Sequence, residues 1–314
     1  MRTRGYPIRA VQSDRAARHA EKLRFLLQYG MLAPARGRAQ SWSLHARGDA
    51  IELWLEHACA LPTLDPIHRD VVIGCGVALA QLRMALRQLG AKDEIEVLPD
   101  PSRPALLARV RVEDVGAASP ETYVLFQAFA RGLEPHADAT HADVSRATLS
   151  ELEGVALDER AVLRWVEAES FAPIVVDTPT IDLGASCTVE SIASVIAALH
   201  PFRQRSFRPS TSEWLEESEF SLRAPVVCVL ATTGDTAHDW LAAGQALGRV
   251  LVRARVDGLY PSFRDATPEL DRLRARMRAA QRTLAVPQTL FRLGFPERTE
   301  IVRLEIPRYD ALRA

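Results

Sequence analysis

The sequence lacks an excess of charge of either sign, because 39 Lys and Arg side chains stand against 40 Asp and Glu side chains over 314 residues. A protein that binds the phosphate backbone of nucleic acid normally carries a basic excess, and the formal net charge here is −1. With 47% hydrophobic residues, the chain also lacks the low hydrophobicity of a disordered protein. We therefore expect a folded protein with no nucleic-acid partner.

Long hydrophobic runs are also missing, since no stretch approaches the roughly 18 uncharged apolar residues of a membrane-spanning helix. The N-terminus is basic but is followed by the charged residues 15–22, where a signal peptide would have an apolar segment. We therefore predict a cytoplasmic protein with no membrane partner.

Cysteine is scarce and widely spaced, at positions 59, 75, 187 and 228. Because no C-x-x-C pair is present, the spacing does not indicate a zinc site. Cys75 and Cys228 lie inside apolar runs and are predicted to be buried thiols in a reducing compartment. The segment 136–141 contains two histidines with metal-like chemistry, but we interpret it as an exposed polar loop, and no metal is expected.

Several catalytic motifs are absent, among them H-E-x-x-H, G-x-S-x-G and the Walker loop. Residues 71–80 contain G-x-G within an apolar run, as dinucleotide-binding folds do, but the third glycine position is Leu79. We favour a helix in which Gly76 permits close packing over a pyrophosphate loop.

The apolar pattern predicts a mixture of helices and strands. Predicted helices cover residues 16–30, 70–89, 120–131, 159–169, 188–199, 235–258 and 268–284, and predicted strands cover 43–45, 50–56, 94–98, 108–112, 225–232, 289–293 and 301–306.

A shift of 168 residues superposes two of the predicted helices. The matched pairs are Gly76 with Gly244, Ala78 with Ala246, Leu79 with Leu247, and Gly90 with Gly258. Four matches on a common helix pattern are also compatible with chance. An internal repeat would give two α+β halves about a pseudo-twofold axis, with a cleft at their interface.

The loop 33–42 between a predicted helix and strand contains two guanidiniums, an amide and an indole, from Arg36, Arg38, Gln40 and Trp42. Arginine suits a phosphate and an amide suits the edge of a heteroaromatic ring. Taken alone, the loop is better explained as an exposed basic surface.

Several further segments of the sequence are also found in a known protein family. They are Ala33-Pro34, Gln40-Ser41-Trp42, Asp65-Pro66, residues 75–79, residues 98–101, Gly234-Asp235, residues 239–247, Gly258-Leu259, Pro287-Gln288 and Arg292-Leu293-Gly294. Jointly, over about residues 16–131 and 222–314, the chain resembles the FMN-dependent nitroreductases, in their long single-chain Acg-like branch.

This resemblance implies an α+β fold in which helices sandwich a sheet. One chain then imitates the two-subunit nitroreductase dimer, with FMN between two pseudo-repeated halves. The halves would be residues 1–115 and 222–314, and residues 116–221 would form an irregular, partly helical middle segment and possible lid.

The resemblance also implies roles for individual residues. Gln40 would address the isoalloxazine edge and Trp42 would support its loop. Ser262 and Phe263 would lie in the segment that runs past the flavin ring, and Arg308 would bind the phosphate.

Departures from the family pattern concern the phosphate. Arg38 stands where the family has Asn, and Ser41 stands where it has Pro. The arginine-rich segment of the family is reduced to Arg131, so that Arg36 or Arg38 would have to supply the lost contacts.

The function implied is that of an FMN-dependent oxidoreductase in which NAD(P)H or another donor reduces the flavin. The flavin N5 then reduces, or in the reverse direction oxidises, a small electron-poor or heterocyclic substrate. No side chain is assigned as a dedicated acid or base. The protein would be a monomer that imitates a dimer, or a homodimer.

Two alternatives stay open at this stage. One is a catalytically silent flavin store or interaction protein, with residues 206–220 and Trp214 as a lid. The other is a biosynthetic dehydrogenase that oxidises a small heterocycle on the same scaffold.

Overall fold

The computed structural model describes residues 22–23, 25–27, 42–56, 69–114, 118–139, 143–167, 226–262 and 285–303. The predicted helices at 188–199 and 268–284 lie outside these residues, as does most of the one at 16–30. Of that helix, residues 22–23 and 25–27 are described; they are helical, and Leu23, Phe25 and Leu26 are buried.

The first sheet forms around a hairpin and a long helix. Its elements are β1 (Trp42–Arg47), β2 (Ala50–Leu55), α1 (Arg69–Gln88), β3 (Ala91–Val97) and β4 (Leu106–Asp114). The strands are antiparallel in the order β1-β2-β4-β3. Gly48 and Gly90 have φ of 63° and 70°, a left-handed conformation that suits glycine at the hairpin turn and after the helix.

A middle region follows the first sheet. It contains α2 (Pro120–Ala130), β5 (Arg131–Ala139) and α3 (Arg146–Asp158). Strand β5 pairs with the last strand, β10 (Pro296–Arg303), in a separate two-stranded antiparallel sheet.

The second four-stranded sheet has the same strand order as the first. Its elements are β6 (Ala161–Glu167), β7 (Val226–Thr232), α4 (Ala237–Val256), β8 (Tyr260–Ser262) and β9 (Val286–Gly294). The antiparallel order is β6-β7-β9-β8. The predicted α+β class is confirmed.

Helices α1 and α4 cross with their backbones in contact. A Cβ added to Gly76 would lie 2.5 Å from the carbonyl oxygen of Leu241 and 2.8 Å from the Cα of Gly244. A Cβ added to Gly244 would lie 2.0 Å from the carbonyl oxygen of Ile73. The prediction that Gly76 permits close packing is therefore confirmed.

The core lies along this crossing and against the inner faces of both sheets. Cys75 on α1 and Cys228 on β7 are fully buried and free, as predicted. Burial raises the pKa of both thiols well above the usual range, so they are packed as small apolar side chains.

Two predictions of local structure were wrong. Residues 159–169 were expected to be helical, but α3 ends at Asp158 and Arg160 has φ of 59°, which turns the chain into strand β6. Residues 136–141 were expected to form a polar loop, but those up to Ala139 belong to β5. This segment is a strand because it pairs with β10. Pairing with a strand so distant in sequence leaves no reliable signal in the local sequence.

Candidate functional site

The structure places three of the predicted site residues on three different sheets. Trp42 begins β1, Arg131 begins β5, and Ser262 ends β8. The backbone of Arg131 pairs with Arg303, and that of Ser262 pairs with Arg292. The other predicted site residues lie outside the described residues; they are Arg36, Arg38, Gln40, Phe263 and Arg308.

Trp42 is buried in the hydrophobic core and has an unsatisfied polar atom. Its side chain is 3% exposed, and its indole Nε1 has no hydrogen-bond partner among the described residues. A buried indole N–H normally finds an acceptor. This donor is therefore available to a group that accepts a hydrogen bond.

A second set of buried donors was missed from the sequence. Arg255 on α4 is 5% exposed, and its Nε and Nη1 have no hydrogen-bond partner within the described part of the chain. The hydroxyl of Tyr260, at the start of β8, is buried and equally unpartnered there. A signal existed, because Arg255 continues the apolar stripe of Leu247 and Leu251 on α4.

The protonation of this pair follows from burial. Burial lowers the pKa of Arg255 to about 10, against the raising effect of Tyr260. Burial raises the pKa of Tyr260 to about 12, against the lowering effect of Arg255. At neutral pH the guanidinium is therefore charged and the phenol is protonated, so that both side chains donate hydrogen bonds.

These donors provide a test of whether the chain suits FMN. Trp42, Arg255 and Tyr260 offer buried N–H and O–H groups without acceptors among the described residues. FMN presents acceptors, as ring carbonyls and as a dianionic phosphate. The donor chemistry therefore fits such a cofactor.

The motif residues at the start of α4 have a structural explanation. Asp235 accepts hydrogen bonds from Arg69 of α1 and, at 2.8 Å, from the indole of Trp240. The Arg69 guanidinium lies over the Trp240 ring, 5.6 Å from its centroid. Although burial raises the pKa of Asp235, these two hydrogen bonds bring it below its usual value. The cluster ties the N-terminal ends of α1 and α4 together.

The Pro287-Gln288 motif stabilises the turn that leads into the same helix. Gln288 is fully buried, and its Nε2 donates to the hydroxyl of Thr232 at 2.8 Å and to the carbonyl of Gly234 at 3.2 Å. Helix α4 then begins with a capping box between Thr236 and Asp239. Much of the shared motif therefore holds the helix pair in place.

The described residues contain neither a cluster of metal ligands nor a membrane-spanning helix. Among them, no group of three or more His, Cys, Asp or Glu side chains is placed to hold a metal ion. None of the described helices is long and apolar enough to cross a bilayer.

Comparison with known proteins gives long but distant relatives. No family model matches the chain. A Mycobacterium tuberculosis protein named "Putative NAD(P)H nitroreductase acg" is 24% identical over 297 residues, which are 87% of this chain and 89% of the relative. A second, uncharacterized protein of that organism is 25% identical over 307 residues, 88% of this chain and 85% of its own. These alignments confirm the resemblance to the Acg-like chains.

Solved structures match over a smaller part of the chain. The FMN-dependent nitroreductase NfnB from Mycobacterium smegmatis, solved with NADPH, is 13% identical and covers 59% of this chain and 93% of its own, with a TM-score of 0.35. Nitroreductase A from Vibrio parahaemolyticus is 12% identical and covers 59% of this chain and 72% of its own, with a TM-score of 0.34.

Proposed function

We propose that this protein is an FMN-binding oxidoreductase that takes electrons from NAD(P)H and acts on a small electron-poor or heterocyclic molecule. The observation that carries the proposal is the set of buried donors at Trp42, Arg255 and Tyr260, which lack acceptors among the described residues. The name of the long relative, a NAD(P)H nitroreductase aligned over 87% of this chain, supports the same chemistry.

The residues would divide into two groups by the part of FMN that they hold. Gln40, Ser262 and Phe263 would contact the ring system, with Trp42 fixing the loop of Gln40. The phosphate would be held by Arg308, with help from three further arginines, namely Arg36, Arg38 and Arg131. When bound, FMN would supply hydride transfer between NAD(P)H and the substrate.

Arg255 and Tyr260 add a function to this set that the sequence did not indicate. As a buried cation and a buried phenol, they would donate to an acceptor or anionic group in a site from which water is excluded. Such preorganised donors stabilise negative charge more strongly than they would in water.

We further propose that the two halves imitate the two subunits of a nitroreductase dimer. The identical strand order of the two four-stranded sheets supports this. So does the reciprocal crossing of the helices: Gly76 meets Leu241 and Gly244 meets Ile73, and both Leu241–Ile73 and Gly244–Gly76 are separated by 168 residues. A contact of residue i with j and of j with i is what a twofold axis produces.

Titration with FMN tests the proposal. We expect flavin fluorescence to be quenched on binding, and anaerobic addition of NADPH to bleach the visible flavin band. Arg308→Ala should weaken binding at least about tenfold, because one charge-assisted phosphate contact is worth roughly 1.5–3 kcal/mol.

Arg111→Ala is the matched control, because Arg111 lies on the exposed face of the first sheet, where it is bonded to Glu96. This variant should bind FMN as tightly as the unaltered protein does. Absence of any measurable FMN affinity would sink the proposal. Tight binding without reduction by NADPH would contradict the oxidoreductase assignment and favour a flavin store.

A further inference from the structure

A cavity of about 100 Å³ lies where α1, α2, α3 and α4 meet. Its apolar walls come from all four helices and include Met84, Leu125, Val155 and Val252. Of the residues that we assign to FMN, Trp42, Arg255 and Tyr260 have described side chains, and none of these three lines it. The cavity is large enough to hold a small organic molecule, since a single water needs only about 10–15 Å³ measured in this way.

One lining residue carries an unsatisfied polar group. Gln81 of α1 is 2% exposed, and both its Oε1 and its Nε2 lack a hydrogen-bond partner among the described residues. A buried amide without partners costs stability, so this residue is a poor choice for packing alone. Its planar amide offers one acceptor beside one donor.

The rest of the described polar lining is rich in guanidinium donors. It includes four arginines, at positions 83, 87, 249 and 253, beside two glutamates, at positions 121 and 151. Each guanidinium carries five N–H donors, so the lining suits a ligand group that accepts hydrogen bonds, such as a carboxylate.

Carboxylates hold three of these guanidiniums in fixed positions. Glu159 is 9% exposed and accepts from Arg83 at 2.7 Å and from Arg249 at 2.8 Å. Arg253 is bonded to Glu151 through two of its nitrogens, at 2.6 and 2.8 Å. Because the arginines are already ordered, a ligand would lose little affinity to their immobilisation.

We propose that this cavity binds a small planar molecule that presents a carboxamide or lactam edge to Gln81 and an anionic group to the arginines. The two amide groups form a reciprocal pair of hydrogen bonds, which satisfies both polar atoms of Gln81. The apolar walls cover the ring that joins the two ends. Its lining shares no described side chain with the proposed flavin site, and binding there does not require FMN.

The test uses the whole 314-residue chain and two probes that differ at one end. The probe 4-carbamoylbenzoate carries both a carboxamide and a carboxylate, whereas benzoate carries the carboxylate only. By titration calorimetry we expect 4-carbamoylbenzoate to bind at least about tenfold more tightly than benzoate, because tenfold corresponds to a net gain of one good hydrogen bond.

Gln81→Leu should remove this preference and bring the two affinities together. Gln88→Leu is the matched control: Gln88 lies two turns further along α1 and does not line the cavity, so the preference should remain. Hydrogen–deuterium exchange of the unaltered protein locates the probe without any substitution, and protection is expected in residues 80–87 and 248–253.

Three outcomes would overturn the proposal. The first is no saturable binding of either probe, as expected if the cavity holds only water. The second is a preference for the carboxamide that survives Gln81→Leu. The third is protection from exchange that lies outside the four helices.

Discussion

The two four-stranded sheets have the same strand order but opposite chemistry on corresponding strands. In both, the pairing between the two central strands shifts by one residue, after Leu53 in β2 and after Leu230 in β7. One residue before this bulge, Glu52 stands opposite Arg109 in the first sheet. At the same place in the second sheet, Val229 stands opposite Leu290. An ion pair therefore occupies the position of an apolar pair.

The inward faces explain why both solutions give the same frame. Ile51 and Leu53 in β2, and Cys228 and Leu230 in β7, are all fully buried. Because alternate residues of a strand point to opposite faces, the core fixes the register, whereas the other face is free to differ. Strand order and bulge thus follow from the buried half of each strand.

The largest expected effect comes from the helix crossing, where Gly76 of α1 and Gly244 of α4 lie against each other. A Cβ at Gly244 would lie 2.0 Å from a backbone carbonyl oxygen, which no side-chain movement relieves. Gly244→Ala should lower the free energy of unfolding by more than about 3 kcal/mol, or prevent folding. Gly76→Ala, at 2.5 Å, should be nearly as harmful. Urea denaturation followed by circular dichroism measures both.

Gly74→Ala is the control for this pair. Gly74 lies in α1, as Gly76 does, and a Cβ there would meet nothing within 4 Å. Because glycine is a poor helix former, the substitution should stabilise the protein by about 0.5–1 kcal/mol. If all three variants lost the same amount of stability, neither close packing at the crossing nor helix propensity at Gly74 would explain the result.

The next largest effect tests the difference between the sheets. Glu52 is 5% exposed and accepts hydrogen bonds from Arg109 at 3.0 and 3.2 Å. Glu52→Val leaves Arg109 with Glu96 as its described partner, and we expect a loss of about 2 kcal/mol.

Adding Arg109→Leu rebuilds the apolar pair of the second sheet. Because replacement of a whole buried ion pair by packed apolar side chains is often neutral, the double variant should recover most of the lost stability. Thermal unfolding of the unaltered protein, the two single variants Glu52→Val and Arg109→Leu, and the double variant gives the coupling energy between the two side chains. Equal losses in the single and the double variant would contradict this account.

Sequence patterns were sufficient for the helix pair and insufficient for β5 and β6. Helices expected at 70–89 and 235–258 are observed at 69–88 and 237–256, because apolar spacing and terminal glycines are local signals. Residues 161–167 form β6 because they pair with β7, and its partner strand lies about 60 residues away. Such pairing leaves no reliable local mark.

The candidate site was less accessible from sequence than the fold. Trp42 was identified through a motif, but Arg255 looked like one more arginine among many. What distinguishes it is the loss of both water and hydrogen-bond partners among the described residues, and only the packing of α4 against its surroundings shows that loss. Gln81 was missed for the same reason.

A smaller effect is the pH dependence that Glu52 gives to the first sheet. Burial raises its pKa, but hydrogen bonds from Arg109 and Trp54 lower it below the ordinary value of 4.5. A carboxyl whose pKa is lower in the folded state stabilises the protein above its unfolded-state pKa. That contribution should be lost as the pH falls below 4.5 and through the folded-state pKa. Unfolding curves between pH 6 and pH 3 should therefore be less pH-dependent for the double variant.

The smallest expected effect compares two arginines that the proposed repeat would make equivalent. Arg87 of α1 and Arg255 of α4 are separated by the same 168 residues as the glycines of the crossing. Arg87 is partly exposed and lines the four-helix cavity, whereas Arg255 is buried without described partners. Arg255→Met should stabilise the flavin-free protein by about 1 kcal/mol, because it removes an unpaired buried charge.

The same substitution should weaken FMN binding, whereas Arg87→Met should leave it unchanged. Melting temperatures with and without FMN separate the two effects, because a ligand that binds only the folded protein stabilises it by RT ln(1 + [L]/Kd), where [L] is the free ligand concentration. A gain in stability without a loss of FMN affinity would leave Arg255 as an unpaired buried charge of α4 with no binding role and would remove it from the proposed flavin site.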